Sequence, residues 1–422
     1  MGWCLSVGLL QAMQRLFVKL SGGFESQEVK SSREFPDYRR GESIHSLYVD
    51  NFNEIRLLRV DEPRLIATEF QRRFVETKRS WGVVLNDDER VEGAERFSNI
   101  GAHFDGQFLG VHRGKRSLLV SCLMMLALGG CGCSYPQLAA IVGIASHCFL
   151  YKRPLFSIFE VTYQFLLRFR GGRWLPDSVR RELLCAAGLV LFAESDLRQP
   201  IDPFLYSSDA SLWGGAFGRT SEPFLRSTLE ASDLLRRSDV RGTNIRLHAD
   251  SSVEAPRASI DMPAGLAWTV LSQFPWGRLR HGIAYRPDSH ITLLEGVTFS
   301  LLMRFLGQQI VIDKHESSKH DLESVLIDDF TVSRRILCGL DSRGAGGALA
   351  KGRSSSHMIN RSCRRVCAVT LASGLTAVYY WIPSELMPMD SPSRAFAPRS
   401  HRKKQIDSEP HKNVGLADSS DG

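Results

Sequence analysis

Beyond Pro203 the hydrophobic period of the chain switches repeatedly between two residues and three to four. Strand-like runs at 204–218, "HGIAYRP", "RRILCGLDS" and "TAVYYWIPSE" alternate with the helical patterns "TLLEGVTFSLLMRFLG" and "HMINRSCRRVCAVTLASG", the second stopped by Gly374. A strand buries every second side chain and a helix every third or fourth, so this alternation selects a sheet with helices packed on it. The ordered pattern ends near Arg394. The stretch from 219 to about Trp276 reads as irregular, and residues 399–422 are polar, without hydrophobic period, and expected to be a disordered tail.

The first 200 residues follow two other patterns. Residues 1 to about 20 read as an amphipathic helix, and "SIHSLYVDNFNEIRLL" as two short strands meeting near Asp50. "RLIATEFQRRFVETKRSWGVVLN" predicts a helix and then a strand, and "FSNIGAHFDGQFLGVHR" a hairpin turning at Asp105 and Gly106. From Lys115 to about Asp196 only helical periods are visible, with a helix start at Pro176 and Asp177. The expected fold class is therefore multidomain, mixed α+β and α/β.

A formal charge of +7 and a pI near 9.0 favour a polyanionic partner, because lysine and arginine neutralise phosphates and release their counterions. The nine cysteines are scattered without paired CxxC spacing. Cys131 and Cys133 in "GGCGC" have no second pair, so neither a disulfide framework nor a zinc site is indicated, and a reducing compartment fits. The amino-terminal run lacks the basic flank and cleavage pattern of a signal peptide; Gly2 with Ser6 matches a myristoylation pattern only superficially. "SLLVSCLMMLALGG" is too short and too glycine-broken to span a bilayer. The expected location is cytoplasmic or nuclear, with no membrane contact.

Four acids beyond Pro203 stand where a strand ends or a helix meets the sheet: Asp209, Glu295, Asp341 and Asp390. Singly, an aspartate at a strand end is more often a turn former, since its side chain bonds nearby amides. Their surroundings, "SSDASLWGGAFG", "ITLLEGVTFSLL", "LDSRGAGGALAKGRSSS" and "WIPSELMPMDSPSR", occur in that order. Together they resemble the ribonuclease H domain of retroelement polyproteins, over residues 204 to 394. The resemblance implies a ribonuclease H-like mixed sheet flanked by helices and a site for two Mg2+ ions. Asp209 would bridge the ions, Asp390 would complete one site, and Glu295 and Asp341 would support the other. Hydrolysis of a phosphodiester by two such ions about 4 Å apart needs hard oxygen ligands, which carboxylates supply. Lys351, Arg353 and Arg394 are the candidate contacts to a nucleic-acid backbone. Gly214 and Gly215 would ease close approach beside a substrate-facing strand. The spacings Asp209 to Glu295 and Glu295 to Asp341 are longer than a compact version of the domain requires.

Upstream, "YVDN" at Tyr48 to Asn51 resembles the catalytic hairpin of reverse transcriptases, with Asp50 as its metal ligand. "MGWCLSVGLLQAMQRL" resembles that family's template-contacting segment, and "FSNIGAHFDG" its primer-gripping hairpin. The implied organisation is the carboxyl-terminal part of a palm (1–110), a helical thumb and connection (111–200), a ribonuclease H-like domain (201–398) and a basic tail (399–422). The chain as given starts at the template-contacting segment, so polymerisation is not expected of it: one aspartate cannot hold both ions. The implied partner is an RNA/DNA hybrid, the implied source a retrotransposon polyprotein whose amino-terminal polymerase portion lies elsewhere. Cleavage of the RNA strand and a catalytically dead, nucleic-acid-binding relic both remain open at this point.

Overall fold

The computed structural model describes residues 6–29, 43–48, 51–56, 68–85, 93–94, 96–99, 101–129, 133–168, 174–225, 266–278, 290–318 and 334–398. Asp50, Cys131, "HGIAYRP" and the tail lie outside them. The fold is mixed α and β, as expected, and the described strands form three sheets.

At the amino end α1 (Ser6–Leu20) and α2 (Glu69–Ser80) pack with an antiparallel hairpin, β1 (Ser43–Tyr48) and β2 (Asn51–Arg56). Phe17, Val18, Leu47 and Phe74 form the shared core, and Phe52 stacks on Phe74 at 4.2 Å. Thr68 caps α2 by accepting from the Gln71 N–H, and Gly82, at φ +72°, ends it. The strand predicted after α2 does not form: residues 83–85 join no sheet among the described residues, and Val83 packs on this core instead.

The predicted hairpin at Asp105 is a larger object. β3 (Phe97–Asn99), β4 (Ala102–Phe104) and β5 (Phe108–Gly110) make an antiparallel meander with two turns. Gly101, at φ +78°, belongs to the first, and in the second Asp105 accepts from the N–H groups of Gln107 and Phe108. β6 (Glu194–Asp196) adds to β5, so the segment predicted as wholly helical ends in a strand. Between them run α3 (Arg113–Leu128), α4 (Tyr135–Phe149), α5 (Val161–Arg168) and α6 (Asp177–Leu189). They bury Leu123, Leu138, Phe149, Leu155, Val179 and Leu183 completely.

The third sheet has five strands in the order β11-β10-β7-β8-β9. β7 (Ile201–Ala210), β8 (Gly214–Thr220) and β9 (Trp268–Pro275) are antiparallel neighbours, whereas β10 (Arg335–Leu340) runs parallel to β7 and to β11 (Thr376–Trp381). This is a mixed sheet packed with helices, as the sequence predicts, with two corrections. β9 falls in the stretch read as irregular, and a helix, α8 (Arg343–Lys351), follows β10 where no helix was predicted. α7 (Ile291–Ser318), α8 and α9 (His357–Ser373) cover one face through Phe299, Leu302, Met303, Leu349, Cys363 and Val366. Leu205, Leu225, Leu337 and Tyr380 form a smaller cluster. Gly374, at φ +73°, stops α9 as predicted.

α9 also joins the sheet to the helical connector. Glu182 of α6 accepts from the N–H groups of Val161 and Thr162 and from Arg364 Nη2 at 3.0 Å. Glu160 receives His357 Nδ1 at 2.6 Å and Asn360 Nδ2 at 3.0 Å. Cys367 on the same helix belongs to the connector's core.

Candidate metal centre

β7 and β10 are parallel neighbours, so their carboxyl ends lie together at one edge of the sheet, where open α/β sheets bind ligands. Ser207 pairs with Gly339, two residues before Asp209 and Asp341 respectively. Alternation along β7 puts Ser207 and Asp209 on one face, where Ser207 donates to Met387 Sδ and Asp209 meets the Ser393 hydroxyl. Glu295 is the fifth residue of α7, whose neighbours Leu293, Leu294 and Val297 are buried.

One carboxylate oxygen from each of Asp209, Glu295 and Asp341 lies within 4.8 Å of the others. Asp209 and Glu295 are 3% and 2% exposed. Asp209 Oδ2, Glu295 Oε2 and Asp341 Oδ1 are buried and without a hydrogen-bond partner among the described residues. Such orphaned oxygens are costly, and a cluster of them is what a bound cation would satisfy. Burial first, and then the charges of Asp209 and Asp341, push Glu295 up to about 10. Burial also pushes Asp209 up to about 7, with Asp341 and Asp390 adding to the rise and the Ser393 hydroxyl opposing it. The Ala210 N–H favours the ionised form of both. Glu295 and Asp209, crowded in a dry site, are therefore inclined to keep protons that a divalent cation would displace. The donor set is all oxygen, which suits a hard cation.

The other candidates are placed differently. Asp390 opens the short helix α10 (Asp390–Ser393) and is not in the cluster; its Oδ1 holds Arg394 Nη2 at 2.6 Å. Arg394, a candidate nucleic-acid contact, is thus already paired. The Arg353 guanidinium lies 5.0 Å over the Tyr163 ring and 5.9 Å over Phe156, against the connector. Lys351 is the last residue of α8. Gly214 and Gly215 serve the interior: a Cβ at Gly214 would meet the Phe274 carbonyl and the Phe396 ring, and one at Gly215 would meet Thr298 and the Phe274 ring. Their close approach is to β9 and α7.

Supporting residues were missed by reading acids alone. Ser384 donates to Asp341 Oδ2 at 3.1 Å, and the Trp381 indole N–H donates to the Asp341 carbonyl at 2.9 Å. Arg343 stacks over Trp381 at 4.3 Å. Ser393 donates to the Asp390 carbonyl, and its own carbonyl accepts from Ser211 at 2.8 Å. Trp381 and Ser384 lie 40 and 43 residues from Asp341 in sequence, so no local spacing pointed to them; only Ser393, three residues after Asp390, stands at a turn's spacing from its acid.

Two solved structures are similar to the chain. One is a foamy viral protease-reverse transcriptase dRH in complex with double-stranded DNA, at TM-score 0.34 and 11% identity, covering 88% of this chain and 48% of that one. The other is a foamy viral protease-reverse transcriptase in complex with an RNA/DNA hybrid, at TM-score 0.27 and 10% identity, covering 81% and 56%. The chain spans about half the length of these two chains. No family model and no curated protein matches the sequence. No described helix is long and apolar enough to cross a membrane.

Proposed function

We propose that the chain is a piece of a retroelement polyprotein whose residues 201–398 cleave the RNA strand of an RNA/DNA hybrid. Residues 1–110 correspond in this reading to the end of a polymerase palm, with Asp50 as its ligand, and 111–200 to a thumb and connection. The observation that carries the reading is the meeting of Asp209, Glu295 and Asp341 at the carboxyl edge of the sheet, each with an orphaned oxygen.

Two Mg2+ ions, when bound, would supply an activated water and a counter-charge for the leaving oxygen. Asp209 would hold both, Glu295 and Asp341 would hold one, and Asp390 would complete the other. Ser384 and Trp381 fix Asp341, and the Ser393 hydroxyl lies beside Asp209. The basic balance of the chain supplies attraction for the hybrid.

A second reading, binding without cleavage, is favoured by one observation: Asp390 is engaged by Arg394 and stands outside the cluster. The full chain incubated with a labelled hybrid and Mg2+ decides between them. Cutting that disappears in Asp209→Asn and in chelator supports the nuclease; a folded chain that binds the hybrid and leaves it intact supports the second reading.

A further inference from the structure

The fourth acid carries the unexplained geometry. The backbone of α10 is pinned to the turn between β7 and β8, through Ser211 Oγ on the Ser393 carbonyl at 2.8 Å. The Asp390 and Arg394 side chains are instead 32% and 44% exposed and grip each other at 2.6 Å. Asp390 is close enough for its charge to act on Asp209. An acid one step from the cluster is therefore neutralised by the nearest arginine.

Charge matching gives this pair a consequence. Three ionised carboxylates balance one divalent cation with one charge left over, too little for a second ion in a dry site; four balance two. A carboxylate oxygen holding a guanidinium is also not available as an ion ligand. Arginine has a further preference: its planar fork binds phosphate oxygens in pairs, and a half-exposed ion pair within one helical turn is weak enough to be exchanged for them.

Building on the metal reading above, we propose that Arg394 is a latch on the second cation position. Paired with Asp390, it holds the site at three acids and one ion. A nucleic-acid phosphate draws the guanidinium away, Asp390 is released, and the second ion enters only when the polyanion is in place.

The test uses the full chain and a cycle of Arg394→Gln, Asp390→Asn and the double variant, with Asp209→Asn as reference. Mn2+ is the probe ion, followed by electron paramagnetic resonance without nucleic acid. Arg394→Gln is expected to tighten the second ion about two- to fivefold, and to change nothing in the Asp390→Asn background. In chelator, fluorescence anisotropy with an RNA/DNA hybrid reads the other side of the latch. Asp390→Asn frees the arginine and should tighten hybrid binding by a similar factor, again only while Arg394 is present. Equal effects in both backgrounds would reduce the pair to its general field and overturn the latch, as would no effect. If Asp209→Asn binds Mn2+ like the wild type, the metal reading itself fails; if Asp209→Asn loses the ion while Arg394→Gln is inert, only the latch fails.

Discussion

Replacing Glu295 with glutamine should make the metal-free protein more stable. Glu295 is 2% exposed, and burial with two neighbouring acids raises it from 4.5 to about 10. At about pH 7 the unfolded chain carries it ionised and the folded chain carries it protonated, so folding must take up a proton. The native state binds more protons, so stability falls as pH rises. The contribution is fully present below 4.5 and is lost progressively towards about 10. Each unit above 4.5 costs about 1.4 kcal/mol, which comes to about 3 kcal/mol near pH 7. Glutamine has the same shape and takes up no proton, and its amide can donate to the carboxylates beside it. Allowing for relaxation of the site, a gain on the order of 2 kcal/mol, or about 4 to 8 °C in melting temperature, is expected at pH 7 in chelator. Near pH 4.5 the gain should vanish. Saturating Mg2+ should narrow or reverse the order, because an ion that binds only the folded state stabilises the wild type by RT ln(1 + [L]/Kd) and glutamine is a poorer ligand. Calorimetric scans at about pH 5, 7 and 8, with and without Mg2+, measure all of this. A variant that melts below the wild type in chelator at pH 7, or a gap that ignores pH, would refute the reasoning.

Ser384→Ala should weaken Mn2+ binding about tenfold, because Asp341 loses the donor that orients it, and Ser384→Thr should restore most of the affinity. Gly352→Ala should cost at least about 2 kcal/mol in urea unfolding: φ is +71° and a Cβ would collide with the Arg153 carbonyl of the connector. Glu182→Ala leaves the Val161 and Thr162 N–H groups and Arg364 without their carboxylate, a loss of about 3 kcal/mol by the same assay.

What the sequence made legible follows from where side chains are buried. β7, α7, β10, α9 and β11 have dense apolar periods because they form the middle of one core, and each was readable. β9 was not: it is an edge strand whose residues are all half-buried or exposed, so packing enforces little alternation on it. α8 was hidden by three glycines, which disfavour a helix locally. It forms because Ser342 caps it and Ala345, Ala348 and Leu349 are buried against the sheet and its neighbouring helices. β6 has three residues, too few for any period, and exists through pairing with β5. Of the four acids, the three that meet are tied to the sheet's core. Asp341 follows a strand held between β7 and β11, so the long spacing before that strand does not move it. Asp390 sits on a four-residue helix, where its own neighbour Arg394 decides its partner.

The site also depends on residues outside the segment that carries it. Glu295 rides on α7, and α7 lies along α9 at small-residue contacts: a Cβ at Gly296 would touch Ser362, and one at Gly307 would touch Val369. The opposite side of α9 is anchored in the connector. Asn360 donates to the Ser157 carbonyl and to Glu160, Arg364 bridges Glu160 and Glu182, and Cys367 is buried in the connector's core. Cutting the chain at residue 200 would leave that arginine, asparagine and thiol facing water, and would free the helix against which Glu295 is set. Hydrogen bonds, ion pairs and core packing thus cross the boundary suggested by the change in sequence pattern. A failed nuclease assay on residues 201–398 alone would measure the loss of this anchor before it measured the chemistry of the acids, so the intact chain is the proper object for every test of the site.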